Sequence, residues 1–404
     1  MAIDALHGST RHSASGPNYY HADPSFQALM QEALGPEVLA WARPLLEDMG
    51  RMAAQDIVPL AEDANQNVPV LVQYDADGNR LDEVKVHPSY REMTRLAYGA
   101  GLGGMFYETD LRHQHGYVPH ALVFALGYLF AQAEQGLYCP ICMTEGSARL
   151  VDLFGDEALK AKFLPGITSR DLSTLLEGAM FLTEKQGGSD VGANETVARQ
   201  VDGQWRLSGD KWFCSNAGEA GVMMVLARPE GAPAGTKGLG LFLMPKTLED
   251  GSRNHYRINR LKDKLGTRSM ASGEFTLEGA IAYPVGDLSR GFRYMTEMLN
   301  LSRTYNAVAA LAIMRRSYSE SLAHATHRAA FGKTIDHYPM VRLMLTSMVV
   351  EIEAATAFVW EAIRYLDMLD QGTASDEEQV MRRLLTPMIK YHTGKQAIRF
   401  ASEA

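Results

Sequence analysis

The stretch LTEKQGGSDV, Leu182 to Val191, decides the reading of this chain, together with Lys211-Trp212-Phe213 in the segment that follows it. A Thr-Glu pair running into two glycines and a Ser-Asp offers exposed backbone N–H groups and small hydroxyls with no bulky side chain. Such a loop suits close approach to phosphates and to a polar heterocycle. A lone Gly-Gly-Ser-Asp is an ordinary surface turn. Coupled to a Trp on the next β segment, whose indole supplies a flat face, it reads as a cofactor cradle.

On either side of this loop the pattern of the chain changes. From Pro36 to Asp63 the apolar residues Val38, Leu39, Trp41, Leu45, Leu46, Met49, Met52 and Ile57 recur at three- and four-residue steps. Similar steps run through residues 90–100, 119–135 and 144–154, so the N-terminal third is predicted to be helical. Residues 75–79, DADGN, read as a turn, and the charged, proline-terminated stretch 80–88 as a loop. After Asp171, short segments at 205–207, 222–226, 239–244 and 273–277 are separated by Gly, Pro and Asp clusters, which predicts strands and turns. Helical periodicity returns from Gly291 in two long runs, 293–328 and 339–369, with a break at 371–376 and a further helix from Glu377. The last residues, AIRFASEA, lie inside an apolar-periodic helix with no terminating Gly, Pro or cap, so the chain reads as stopping short of a complete C-terminal domain.

A length of 404 residues accommodates two or three domains. Three cysteines exclude a secreted disulfide scaffold and point to a reducing, cytoplasmic compartment. Cys139 and Cys142 form a CxxC without the βαβ context of a redox pair or the second ligand pair of a zinc site, and are predicted to be buried structural thiols. The net charge of −9, with both signs interspersed, provides no footprint for a nucleic-acid backbone. The most apolar stretch, Val118 to Ala133, contains His120 and is shorter than the roughly 20 residues of a membrane span. The start of the chain lacks the apolar core of a signal peptide, and its first two dozen residues are predicted to form a flexible arm. Gly99, Gly101 and Gly104 satisfy GxGxxG, but helical sequence precedes them, so they read as a helix-terminating loop rather than a dinucleotide fingerprint. His113, His115 and His120 are predicted to be solvated, without metal-ligand spacing.

The wording TEKQGGSDV with KWF resembles the flavin-binding middle domain of the acyl-CoA dehydrogenases, in particular their alkylation-response (AidB-type) branch. LKDKLGTRSMAS, residues 261–272 with Arg268, resembles the stretch before the closing strand of that domain. RAAFGK carries the RxxFG signature of the C-terminal domain. The resemblance covers residues 40 to 404. It implies a multidomain α+β fold: a helical N-terminal domain over residues 1–170, a barrel-like middle β domain over 171–286, and an incomplete C-terminal helical bundle over 287–404. It also implies FAD as cofactor and the α,β-dehydrogenation of an acyl-CoA thioester, with hydride transfer to flavin N5.

The same resemblance distributes roles over the loop. Leu182 contributes backbone groups, Thr183 bonds the flavin ring, Gly188 belongs to the cradle, and Ser189 contacts the cofactor or coenzyme A. Trp212 lies against the isoalloxazine ring. Two positions after this Trp the family usually places a Thr that reaches flavin N5, where this chain has Cys214 and then Ser215. A thiol is a weak donor, which leaves either the Cys214 backbone N–H or Ser215 for the role.

Further along, Arg328 and Phe331 match the signature whose arginine reaches across a subunit interface to the pyrophosphate of a neighbour's FAD, a task suited to a bidentate, permanently charged guanidinium. This implies a homo-oligomer, a dimer of dimers. Arg303 matches a helix arginine at the substrate. Where many relatives carry a Gln for the adenine half, this chain has Pro339, which has no donor. Of the family's two places for the catalytic base, one lies beyond residue 404 and the other holds Ser302, which is no carboxylate. The catalytic residue is therefore unassigned, and Glu297 and Glu403 read as surface or packing acids. An electron-transfer partner belongs with this reading. The alternative is an AidB-like flavoprotein associated with DNA in the alkylation response, with little dehydrogenase turnover; that branch contacts DNA through a C-terminal basic region outside residues 1–404.

Overall fold

The computed structural model describes Gly16 and residues 18–404. They form two compact units, one of residues 57–123 and 134–305, the other of residues 18–56, 124–133 and 306–404.

The first unit is built on β structure. Five of its strands close on themselves in the order Val222–Pro229, Val197–Val201, Gln204–Ser215, Ser272–Pro284, Gly240–Pro245 and back to Val222–Pro229. The expected barrel-like domain is thus present, and closure removes exposed edges. Gly178–Phe181 adds to it in parallel with Val222–Pro229, and Tyr256–Leu261 pairs with Ser272–Pro284. Alternate residues point inward, so Phe181, Leu207, Met223, Val225, Phe242, Ile258, Phe275 and Leu277 form one core.

Within residues 70–85 the sequence misleads. The DADGN turn forms, with Asp75 Oδ1 accepting from the backbone N–H groups of Asp77 (2.9 Å) and Asn79 (2.8 Å). The stretch expected as loop is instead the strand Arg80–Lys85, paired with Val70–Tyr74. Its inward positions are Asp82 and Val84. A charged residue on the buried face hides the period-two pattern, and Asp82 is tolerated there because Arg80 lies 2.9 Å and Arg253 3.7 Å from its carboxylate.

The helix Pro88–Gly99 ends in the expected glycine loop, where Gly101 and Gly103 have positive φ. His113 and His115 lie on the short helix Thr109–His115. His120, by contrast, is not solvated: it is fully buried at the first turn of an apolar helix, its ring stacked 4.0 Å from Phe106 and its Nδ1 3.8 Å from the Glu145 carboxylate. Glu145 belongs to Tyr138–Phe154, a helix buried on every side from Pro140 to Val151. Cys139 and Cys142 lie on its first turns as free thiols, and no metal-ligand cluster occurs among the described residues.

The second unit is helical. Its longest members are Pro24–Met52, Pro339–Asp370 and Asp376–Glu403. The single helix expected over residues 36–63 is in fact Pro24–Met52, a π turn at Ala53–Ile57 and Val58–Gln66; Gly35, at φ 68°, kinks the first of these. Pro339–Asp370 is long and apolar enough to cross a membrane by length and composition alone; Ile352, Val359, Trp360, Ile363 and Leu366 along it are buried.

The expected flexible arm falls in part on residues 1–15 and 17, outside the described residues. Its end is not loose: Tyr19, Tyr20 and Asp23 are buried, and Asn18 donates to the Glu47 carbonyl at 2.8 Å. Asp23 caps the helix Pro24–Met52 by accepting from the Phe26 N–H at 3.1 Å. It also lies 3.0 Å from Arg315, which reaches Glu353 at 2.7 Å, and accepts from the Tyr128 hydroxyl at 3.2 Å. Burial pushes the Asp23 carboxyl up against the pull of Arg315. Around this polar knot the rings of Phe26, Tyr128 and Trp360 meet with centroids 4.5 to 5.9 Å apart. Removing one partner of such a pair leaves the other charge buried alone, so Arg315→Ala is expected to destabilise this unit by about 3–5 kcal/mol. Denaturant unfolding measures it; a loss under about 1 kcal/mol, typical of a surface pair, would contradict the assignment.

Candidate functional site

The site forms where the end of Gly178–Phe181 meets the middle of Gln204–Ser215. The Trp212 N–H donates to the Thr183 carbonyl at 2.8 Å, which joins the two motifs of the sequence directly. Beneath them Glu184 and Lys211 are buried as a pair, Nζ to Oε1 2.7 Å. Lys211 also donates to the carbonyls of Leu226 (2.8 Å) and Leu182 (3.5 Å). Glu184 accepts from the Thr196 N–H (3.1 Å) and hydroxyl (2.6 Å) and from the Glu195 N–H (2.6 Å), so the whole loop folds around one carboxylate. Burial opposes its charge, but Lys211 and these donors prevail and hold Glu184 below the ordinary carboxylate range.

Above this pair lies the glycine turn. Gly187 has φ 130°, and a methyl group at Gly188 would come within 2.6 Å of the Thr183 hydroxyl. The turn therefore needs its glycines, and it leaves Thr183 half-buried with Gly188 and Ser189 exposed beside it. Trp212 is half-buried. The Lys262 ammonium stands 3.5 Å from the centre of its ring and occupies one face, with the Arg260 guanidinium 5.6 Å from the same centre. Lys262 is itself ion-paired with Glu274.

The identity of the group beyond Trp212 follows from a bulge. The pairing of Gln204–Ser215 with Ser272–Pro284 slips between Lys211 and Cys214, and Phe213 sits at φ 56°, a conformation costly for a bulky residue. In regular alternation Cys214 would share the face of Trp212. The extra residue instead leaves Phe213 exposed and turns the Cys214 thiol into the barrel core, where burial pushes its pKa up. The Cys214 thiol is thus withdrawn into the core, which leaves the two expected alternatives, the Cys214 backbone N–H and Ser215. Ser215 takes the Trp212 face, its hydroxyl 3.5 Å from Ser272 and within hydrogen-bonding reach of Cys139.

Asn216, also at positive φ (61°), closes the segment by donating to Glu177 (3.2 Å) and to the Gly178 carbonyl (3.3 Å). Tyr98 meets the same carboxylate at 3.5 Å.

The remaining expected residues belong to other elements. Arg303 is exposed and donates to its neighbour Asn300 at 2.6 Å. Ser302 bonds the Cys142 thiol, and Glu297 lies 3.6 Å from the buried Arg149, a packing role. Arg328 and Phe331 belong to the helical unit, Phe331 almost fully exposed at the tip of the hairpin made by Ala329–Ala330 and Lys333–Thr334. Lys262 and Ser272 fall within the stretch 261–272 singled out in the sequence but were given no role there, and Glu177 went unnoticed; nothing in their local sequence marks them as neighbours of Trp212 and Ser215.

Residues 11–173 match the family described as adaptive response protein AidB N-terminal domain, residues 179–280 the acyl-CoA dehydrogenase middle domain and residues 289–404 the acyl-CoA dehydrogenase C-terminal domain. The chain belongs to the acyl-CoA dehydrogenase family. It is 34% identical to the putative acyl-CoA dehydrogenase AidB of Escherichia coli (strain K12), over 92% of this chain and 68% of that protein. To acyl-CoA dehydrogenase family member 11 of Caenorhabditis elegans it is 33% identical, over 97% of this chain and 65% of that protein. The crystal structure of Caenorhabditis elegans ACDH-11 in complex with C11-CoA is similar with a TM-score of 0.88 at 33% identity, covering 95% of this chain and 66% of that one. The chain thus spans 65–68% of the length of these relatives.

Glu177 supplies a pH-dependent prediction. Burial first, then the negative Glu219, push its carboxyl up to about 7, against Asn216, Lys246 and Tyr98. A carboxyl whose pKa is raised on folding is protonated more fully in the native state, so stability falls as pH rises from 4.5 through about 7. At about 1.4 kcal/mol per unit the whole loss is about 3 kcal/mol. Glu177→Gln should be free of this loss, and unfolding titrations between about pH 5 and 8 should show the variant gaining on the parent protein. A difference that does not change with pH would rule out the titration.

Proposed function

We propose that the chain carries the flavin-binding core of an acyl-CoA dehydrogenase-type enzyme, which oxidises an acyl-CoA thioester across its α,β bond using FAD. The observation that carries this reading is the shared face of Trp212 and Ser215, set by the bulge at Phe213, beside the Thr183–Gly188 turn. A cradle that a single methyl group would fill, next to a tryptophan with one face already taken, fits a flat ring bearing polar edges. When bound there, FAD would accept the hydride; the protein supplies orientation and electrostatics.

Each residue then has a task. The Leu182 backbone and the Thr183 hydroxyl would hold the polar edge of the ring, and Ser189 the phosphate side or coenzyme A. The Ser215 hydroxyl would donate at flavin N5, in the place of the family's threonine, with the Cys214 backbone beside it. Arg303 stays with the substrate. No carboxylate stands at Ser302, so removal of the α proton is assigned to no residue of this chain. The ligand printed for the C. elegans structure, C11-CoA, supports an acyl-CoA substrate class.

Assembly into a homo-oligomer, a dimer of dimers, is part of the same proposal. Phe331 and Arg328 are exposed, and Met340, Leu343 and Val350 on one helix with Val380, Leu384, Tyr391 and Ile398 on the next expose a long apolar surface, which a second copy would cover. Three free cysteines support a cytoplasmic setting, and an electron-transfer partner would reoxidise the flavin. A second reading, a DNA-associated flavoprotein, is favoured by the AidB match over residues 11–173, while the net charge of −9 weighs against duplex binding by this chain.

The protein reconstituted with FAD should be yellow, and Trp212→Ala should weaken retention by about 1 kcal/mol through lost stacking; failure of the parent protein to take up FAD refutes the reading. Sedimentation should show an oligomer, with Arg328→Ala lowering FAD affinity while the helical circular dichroism is unchanged. A monomeric holoprotein, or unaltered affinity, contradicts the shared site.

A further inference from the structure

Lys264 lies two residues beyond Lys262 but in a different electrostatic setting. Lys262 is neutralised by Glu274. The Lys264 ammonium has only neutral acceptors: the Met270 carbonyl at 2.5 Å, the Ser272 hydroxyl at 3.3 Å and the Thr267 hydroxyl at 3.5 Å. Among the described residues no carboxylate lies within ion-pair distance of it. A half-buried ammonium without a counter-charge is costly unless something negative is supplied. Burial pulls its pKa below the ordinary lysine value, with Cys139 and Glu134 acting in the opposite direction.

The surroundings direct this charge. Glu134 is buried, accepts from the Ser269 hydroxyl (2.7 Å) and the Leu137 N–H (3.0 Å), and has its carboxyl pushed up by burial. Burial likewise pushes up the Cys139 thiol, which keeps it neutral. On the remaining side Ser272 passes the contact on, its hydroxyl 3.5 Å from that of Ser215. Lys264, Ser272 and Ser215 are thus in successive contact, from an ammonium with no ion-pair partner among the described residues to the face that Trp212 shares.

We propose that Lys264 supplies a fixed positive charge to this site, acting through Ser272 and Ser215 on the flavin bound beside them and favouring the reduced ring, which carries one more negative charge after hydride uptake than the oxidised ring. The inference rests on the flavin reading above. Lys264 is a positioning and electrostatic residue, since it touches the ring only through two hydroxyls. A preorganised charge of this kind costs no reorganisation at the moment of reduction and acts in a partly dry environment.

The test is the two-electron midpoint potential of the FAD-reconstituted full chain, titrated against a reference dye. Lys264→Gln should shift the oxidised-to-reduced ratio at least tenfold towards the oxidised form, a potential lower by about 30 mV. Lys264→Arg should keep the parent potential, because it keeps the charge. Ser272→Ala should lower the potential by a smaller amount and carries the test if the Gln variant does not fold. An unchanged potential in Lys264→Gln, or in Ser272→Ala where that variant stands in for it, overturns the proposal, as does an Arg variant that falls as far as the Gln variant. If the parent protein takes up no FAD, the flavin reading itself has failed and the Lys264 proposal with it; uptake with normal spectrum but no shift defeats the Lys264 proposal alone.

Discussion

A carboxylate and an ammonium with almost no exposure, Glu184 and Lys211, organise the loop that joins the two motifs of the β-rich unit. Lys211 is on the strand Gln204–Ser215 and Glu184 in the turn after Gly178–Phe181, and each satisfies backbone groups of other segments: Leu182 and Leu226 through the lysine, Glu195 and Thr196 through the glutamate. Desolvating two charges is expensive, and the energy is recovered only with near-ideal geometry. The loop from Leu182 to Thr196 therefore has few alternative conformations available. Its glycines, its exposed serine and its half-buried threonine inherit their positions from a pair that is itself buried.

Backbone strain complements this pair. Phe213 and Asn216 both adopt left-handed conformations within four residues of one strand, a conformation that costs a phenylalanine on the order of 1–2 kcal/mol. Strain of this size persists only where neighbours over-determine it. Here Asn216 is tied to Glu177 and Gly178, and Trp212 to Thr183, so the bulge is held from both ends. What it achieves is an exchange of faces: a thiol goes into the core and a hydroxyl comes out.

Much of this was legible in the linear sequence. The order helical, β, helical followed from periodicity alone, and the pairing of LTEKQGGSDV with KWF pointed to the site that the fold assembles. The failures share a physical cause, which is compensation by residues distant in sequence. Arg80–Lys85 looked like a loop because Asp82 occupies a core-facing position, and the arginine that helps neutralise it, Arg253, is encoded far downstream. His120 looked solvated until Phe106 and Glu145 enclosed it. Which way the Cys214 and Ser215 side chains face depends on a one-residue slip in strand register, which no local pattern announces. Asn18 to Asp23 read as tail because their partners, Glu47, Tyr128 and Arg315, lie elsewhere in the chain.

The hairpin of residues 70–85 also bears on modularity. Val84 lies in the same apolar core as Ile258, Ala217 and Phe275, and the side chain of Gln73 donates to the carbonyls of Ile258 and Asn259 at 3.3 and 2.9 Å. Gly218 leaves no room for even a methyl group beside Val84. The barrel is thus finished by a piece of chain encoded about a hundred residues before its first strand. Such a barrel does not travel as a cassette: recombination or excision at the apparent sequence boundary would export it with an apolar window open to water. Segments that are separate as stretches of sequence are bound to vary together.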